Sequence, residues 1–246
     1  MPAFRYLEAV RRVLDHLEST QGEAIDRAAD LVVHALANGG AVFCHEIGHG
    51  NQGDFLNRAG GLAAVQSFSF GLNLHDPVAD RLSNRPRAEA FERDLETVRL
   101  AVRASNLRPG DVMLLGSVSG RNRIPVELGL ACREAGVKVI GLTSLTYTER
   151  VESLHPSGKK LKDVADVVID NGAPYGDAAV EIPGIEVTAL PVSGVSMTVA
   201  GWLLWETVME KMAAQGDPPT VFMSANRPGG MDFLLASQKR FAERGY

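Results

Sequence analysis

The run Asp111–Ser144, DVMLLGSVSGRNRIPVELGLACREAGVKVIGLTS, limits the fold more than any other part of the chain. Residues 111–115 form a short apolar run entered from the turn Leu107-Arg108-Pro109-Gly110, and residues 137–142 form a second one after Gly136. Between them, residues 125–135 carry Val126, Leu128, Leu130 and Ala131 at a spacing that suits a helix packed on a sheet. A strand, a helix and a second strand in this order form a crossover unit, which places the two strands parallel. The connecting loop Gly116-Ser117-Val118-Ser119-Gly120-Arg121-Asn122 is polar and ends where the helix begins. Backbone N–H groups at a helix start are unpaired and carry partial positive charge, so they favour an anion. Ser117, Ser119 and Asn122 add small polar side chains without blocking a phosphate, although serine and asparagine also serve as plain helix caps.

The rest of the chain repeats the alternation. Residues 3–38 predict a helical arm, with a break at Ser19-Thr20-Gln21-Gly22 and a stop at Asn38-Gly39-Gly40; its inward positions begin with Phe4, Leu7, Val10, Val13, Leu14 and Leu17. Such an arm has more apolar surface than one sheet can cover, which points to contact with another subunit. A first strand is expected at 41–44, followed by a glycine-rich loop, His45 to Asp54, opening a helix through Phe55, Leu56 and Ala59. A second strand is expected within 62–67, a loop over 70–85, and a charged helix over 86–104 with Phe91, Leu95, Val98 and Val102 inward. Residues 143–158 are polar, 159–163 suit a short helix and 167–169 a fifth strand. Residues 171–184 read as loop and 185–190 as extended chain. Helices are expected at about 195–215 and 231–244, after a polar turn at 224–230. The alternation predicts one domain over 1–246: an α/β, doubly wound parallel sheet with helices on both faces. In such sheets ligands bind outside the carboxyl ends of the strands, where the loops 45–54 and 116–122 fall.

Composition excludes several classes. With 45% hydrophobic and 22% charged residues the chain is that of an ordinary globular protein. No apolar run approaches the roughly 18 residues a membrane span requires. A formal charge of −5 gives no general attraction to nucleic acid, so no nucleic-acid partner is expected. The two cysteines, Cys44 and Cys132, sit in apolar runs and fit a reducing cytoplasm better than a disulfide scaffold.

The Ser117-Val118-Ser119-Gly120-Arg121-Asn122 loop, its helix and the run Lys138–Ser144 resemble the SIS (sugar isomerase) domain family, whose S-x-S-G loop binds sugar phosphates. Within it the chain is most similar to an uncharacterised bacterial group related to phosphoheptose isomerase. The likeness extends through Arg58-Ala59-Gly60-Gly61-Leu62, Ser157-Gly158-Lys159-Lys160-Leu161, Asp170-Asn171-Gly172-Ala173-Pro174 and Ser224-Ala225-Asn226. The resemblance implies a five-stranded, flavodoxin-like parallel core, a homodimer or homotetramer, and a site near the subunit interface. It also implies a phosphate loop at Ser117, Ser119 and Gly120. The chain departs from the isomerase pattern elsewhere. Gly48 stands where the first loop has a phosphate-binding serine, Asp54 is a loose match for the carboxylate base, and residues 195–215 contain no histidine.

Aldose–ketose isomerisation needs one group to move a proton between C1 and C2 through an enediol and another to serve the oxygens. A carboxylate and a histidine suffice, with no metal or other cofactor. His45, Glu46, His49 and Asp54 are the candidates in the first loop. Glu127, one turn into the helix after Pro125, is the further carboxylate that the family resemblance suggests, and an acid at that place also stabilises a helix start. His45 and His49 with Glu46 lack a clear third ligand for zinc. Arg121 reads as solvated, and His155 as part of a surface loop. The expected function is sugar-phosphate isomerisation. The alternatives are a non-catalytic phosphosugar sensor and an ether lyase on an amino-sugar phosphate with Glu127 as acid; the fold alone does not separate them.

Overall fold

A computed structural model describes residues 4–47, 51–86 and 91–246. Two helices, α1 (Arg5–Thr20) and α2 (Gly22–Ala37), precede β1 (Val42–Ile47). Next come β2 (Val65–Ser67), α3 (Arg93–Ala104), β3 (Val112–Gly116), α4 (Arg123–Glu134) and β4 (Lys138–Thr143). Two single-turn helices, α5 (Leu145–Thr148) and α6 (Leu161–Val164), lead to β5 (Val167–Asp170). The chain ends with β6 (Ala178–Val180), β7 (Ala189–Pro191), α7 (Ser193–Ala214) and α8 (Gly230–Arg244).

The main sheet has the order β2-β1-β3-β4-β5, and every pairing in it is parallel. This is the flavodoxin-like order, with its switch point between β1 and β3. Alternation along β3 shows why helices are needed on both sides. Val112 and Leu114 enter a core formed with α2 and α7, whereas Met113 and Leu115 enter a second core formed with α3 and α4. Successive strand side chains point to opposite faces, so a continuous apolar strand buries only between two layers. β6 and β7 form a separate antiparallel pair, and Ala9 and Val13 of α1 pack with Val180 and Val192 beside it.

Three expectations about elements are corrected. The first loop does not open a helix at 55–59: a 3-10 helix over Asn51–Asp54 is followed by turns, with Asn57 in the left-handed region at φ 47°. A residue at positive φ cannot continue a right-handed helix. Phe55 is instead buried against Trp202 and Trp205 of α7. The charged helix starts at Arg93, so Phe91 precedes it and is exposed while Leu95, Val98 and Val102 are buried. In α1, Ala9, Val13 and Leu17 recur every four residues on one buried face, whereas Phe4 precedes the helix and Leu7 lies off that face, and both are exposed.

α7 is apolar nearly all round, and Gly201 lies where it meets the Phe55 ring. A Cβ there would occupy the space of that ring, so Gly201→Ala should cost about 1–3 kcal/mol, read by urea unfolding. Burial pushes the Cys44 and Cys132 thiols up to about 12. Since an unfolded thiol ionises near about 8.5, their contribution to stability is intact below that pH and is lost as pH rises toward 12. Neither thiol should react with a disulfide reagent at pH about 8 in the native protein, and both should react in denaturant.

Candidate functional site

The carboxyl ends of β1 and β3 lie side by side and floor a cavity of about 580 Å³. It is lined by His45 and Glu46 from β1, by Gly116–Ser119 and Asn122 from the loop after β3, by Ile124 and Pro125 from α4, and by Tyr147, Gly176 and Asp177.

The loop's geometry follows from where its carbonyls go. The Ser117 carbonyl accepts from Gly120 N–H at 3.1 Å, and the Val118 carbonyl from Ser144 N–H at 2.9 Å and the Thr143 hydroxyl at 3.2 Å. The Ser119 carbonyl accepts from the Thr148 hydroxyl at 2.9 Å. The Gly120 and Arg121 carbonyls accept from Leu161 N–H at 2.8 Å and Leu154 N–H at 3.0 Å, and the Asn122 carbonyl from Val126 N–H at 3.4 Å. Every carbonyl from 117 to 122 is thus held by the protein. The negative ends of these peptide dipoles are spent on that side, and the loop presents hydroxyls and the N-terminus of α4 to a ligand. Asn122 is the N-cap residue of α4, and its side chain makes no capping bond, so its amide is not used up there. Gly120 is required: its φ is +64°, and a Cβ would lie 2.8 and 2.9 Å from the Thr148 and Thr143 hydroxyl oxygens.

β1 contributes two adjacent residues to one cavity, which a regular strand does not do. The register explains it. Cys44 pairs with Leu114 and Ile47 with Gly116, so three steps on β1 oppose two on β3. The extra residue is a bulge, a feature that re-aims side chains. His45 and Glu46 are therefore strand residues, not the loop residues that the sequence suggests. The His45 Nδ1 lies 2.7 Å from the Phe68 carbonyl. A carbonyl only accepts, so Nδ1 carries the proton and Nε2 holds the lone pair. The ring is stacked on Phe70, with centroids 5.2 Å apart.

The charged neighbours are largely committed. Asp177 lines the cavity, but its carboxylate accepts from the Ser193 N–H at 2.8 Å and hydroxyl at 2.6 Å and so caps α7. Arg123, at the start of α4, is paired with Glu92 and Asp94 and holds the Asp94 carboxyl below its usual range. Among the described residues no lysine or arginine lines the cavity.

Ser117, Ser119, Asn122 and Glu46 come together as cavity walls, with Gly120 behind them. Glu127 and Asp54 do not join them. Glu127 is fully buried on the far side of α4, bonded to Arg99 and to His155 Nε2 at 2.7 Å. Asp54 pairs with Arg58. Gly48 and His49 lie outside the described residues. Two expectations reverse: Arg121 is partly buried, with its Nε enclosed and unpaired, and His155 is buried rather than on a surface loop. Sequence pattern does not single out Tyr147 and Asp177 for the site; their position in polar runs after β4 and β5, at the carboxyl edge, is the only signal it carries. No cluster of three His, Cys, Asp or Glu suited to a metal occurs among the described residues. Nor is any described helix long and apolar enough to cross a membrane.

The sheet is doubly wound, and the 117–122 loop lies at its switch point beside the end of β1. The chain matches the SIS domain model over residues 5–144. It is 36% identical to a UPF0309 protein of Halalkalibacterium halodurans over 228 residues, 91% of each chain. It is 34% identical to a UPF0309 protein of Caldanaerobacter subterraneus over 246 residues, 97% of each. The chain belongs to the SIS domain family. The fold is also that of the phosphoheptose isomerase from Neisseria gonorrhoeae, with a TM-score of 0.53 and 18% identity over 82% of this chain and 95% of that one. The phosphoheptose isomerase from Francisella tularensis gives 0.50 and 16%, over 82% and 94%.

Replacing Gly120 tests the loop directly. Gly120→Ala should retain the fold and lose about 1–3 kcal/mol of stability, as read by urea unfolding.

Proposed function

We propose that the protein is a phosphosugar-binding enzyme that interconverts an aldose and a ketose phosphate by proton transfer through an enediol. The observation that carries this reading is the meeting of the 117–122 loop with His45 and Glu46 on one cavity. The phosphate is held by the Ser117 and Ser119 hydroxyls, Asn122 and the start of α4. That leaves the sugar's C1–C2 end toward β1. His45 Nε2, kept as the lone-pair nitrogen by the Phe68 carbonyl, takes the proton from one carbon and returns it to the other. Glu46 serves the hydroxyl and carbonyl oxygens as their protons shift. The cavity volume suits one small ligand.

One other reading has a specific feature in its favour. The segment 195–215 contains no histidine, which fits a sensor that binds a sugar phosphate without turnover. The ether-lyase reading loses its support, since Glu127, its acid, is enclosed between Arg99 and His155. A homodimer or homotetramer belongs to the same proposal; exposed Leu72, Leu74, Val78 and Phe91 support a covering subunit, and sedimentation would read it.

Incubation with a panel of sugar phosphates in deuterated water should give deuterium at C1 or C2 of one of them, followed by NMR. Tight binding with no exchange would favour the sensor. His45→Gln should lower kcat by about 10²–10⁴-fold while leaving the dissociation constant for the sugar phosphate within a few-fold of the parent's.

A further inference from the structure

The catalytic reading leaves one group of side chains unused: a buried chain from Arg99 through Glu127 and His155 to Ser157. Glu127 and His155 are 1% and 6% exposed, and together they are the most enclosed ionisable pair in contact in the described structure. The proton positions can be assigned. Ser157 N–H, which can only donate, lies 3.1 Å from His155 Nδ1, so that nitrogen accepts. The imidazole therefore carries its proton on Nε2 and donates it to Glu127 Oε2 at 2.7 Å. Arg99 pairs with the other carboxylate oxygen, and its own pKa is raised chiefly by that hydrogen bond. A buried carboxylate so placed is costly unless both its partners stay.

What the pair joins is informative. Glu127 is on α4. His155 is in the segment 153–161, which is internally tied: the Ser153 hydroxyl donates to the Lys159 carbonyl at 2.6 Å and accepts from His155 N–H at 3.0 Å. His155 stands between the two residues of this segment that donate to the phosphate loop, Leu154 to the Arg121 carbonyl and Leu161 to the Gly120 carbonyl. Lys160 Nζ donates to the Thr148 carbonyl at 2.7 Å, and Thr148 in turn holds the Ser119 carbonyl.

We propose that Glu127 and His155 are positioning residues of the anion site: their buried pair latches segment 153–161 to α4, and that segment keeps the loop's carbonyls turned away from the bound phosphate. The inference rests on the reading of 117–122 as a phosphate loop. The physical reason lies in the peptide between Gly120 and Arg121. Its carbonyl is held by Leu161, and the carbonyl of the next peptide by Leu154; released from Leu161, it is free to rotate, because glycine tolerates both orientations. Rotation would exchange an N–H for a carbonyl oxygen on the ligand's side. The effect is thus specific to anions, and a neutral ligand of the same cavity is indifferent to it.

The test is calorimetric titration of the full chain with inorganic phosphate and with the panel of sugar phosphates. His155→Ala removes the donor to Glu127; His155→Gln keeps a donor N–H at the place of Nε2. The expected result is a dissociation constant for phosphate raised about tenfold or more in His155→Ala and returned to within a few-fold of the parent's in His155→Gln. A folded His155→Ala that binds phosphate like the parent overturns the inference, and so does a folded His155→Gln that is as weak as His155→Ala. If His155→Ala does not fold, amide hydrogen exchange in the parent decides. Saturating phosphate should slow exchange at Leu154 and Leu161, and no change at either overturns the proposal. A parent that binds neither phosphate nor any sugar phosphate removes the phosphosugar reading itself, and this inference with it; a parent that binds, with variants that do not differ from it, removes the inference alone.

Discussion

The site depends on the hydrogen bonds that hold the six carbonyls of residues 117–122. A cavity with Glu46 and Asp177 in its walls and no cationic side chain among its described lining is an unpromising place for an anion by charge count. Against that count stands the loop itself, whose carbonyls are already bound within the protein, and fixed dipoles need no reorganisation when a charge arrives. Two of the six are held by Gly120 of the loop itself and by Val126 of α4; the donors to the other four come from the end of β4 and the residue after it, from α5, from Leu154 and from the first residue of α6. The single-turn helices and the polar stretch 143–161 therefore have a common purpose, which is to back the loop.

The sheet is what brings the loop to its partners. β1 and β3 are neighbours, and the chain order reverses between them, so the ends of both strands open into the same crevice. Two hydrophobic layers fix this register. The even-numbered residues of β3 belong to one core and the odd-numbered to the other, and a slip by one residue would exchange them.

Much of this was legible in the sequence. The runs at 111–115 and 137–142 with a helix between them announce the crossover, and Ser117, Ser119 and Asn122 are found from their place between strand and helix. Glu127 shows where local reasoning stops. Pro125 faces the cavity, but two residues further, about 200° round the helix, the side chain points to the opposite flank, here toward α3. The burial of His155 depends on that same carboxylate, 28 positions away in the chain, which no local pattern reports. The missing helix at 55–59 was lost to a tertiary contact, since Phe55 fills the space that Gly201 leaves in α7. The bulge in β1 is invisible for another reason: apolar alternation shows the pleat, and one extra residue at the end of a strand leaves the pattern before it unchanged.

That bulge has a consequence for how such a site can change over time. His45 and Glu46 share a cavity because β1 has one residue more than β3 over the same span. Loss of a single residue there would restore ordinary pleating and turn one of the two away, while Val42 and Cys44 kept their places in the core. Chemical equipment at this edge is governed by chain length and not by residue identity alone. Relatives with the same sheet and the same loop after β3 can therefore differ in the side chains they present at this edge through an insertion or deletion that leaves their packing untouched.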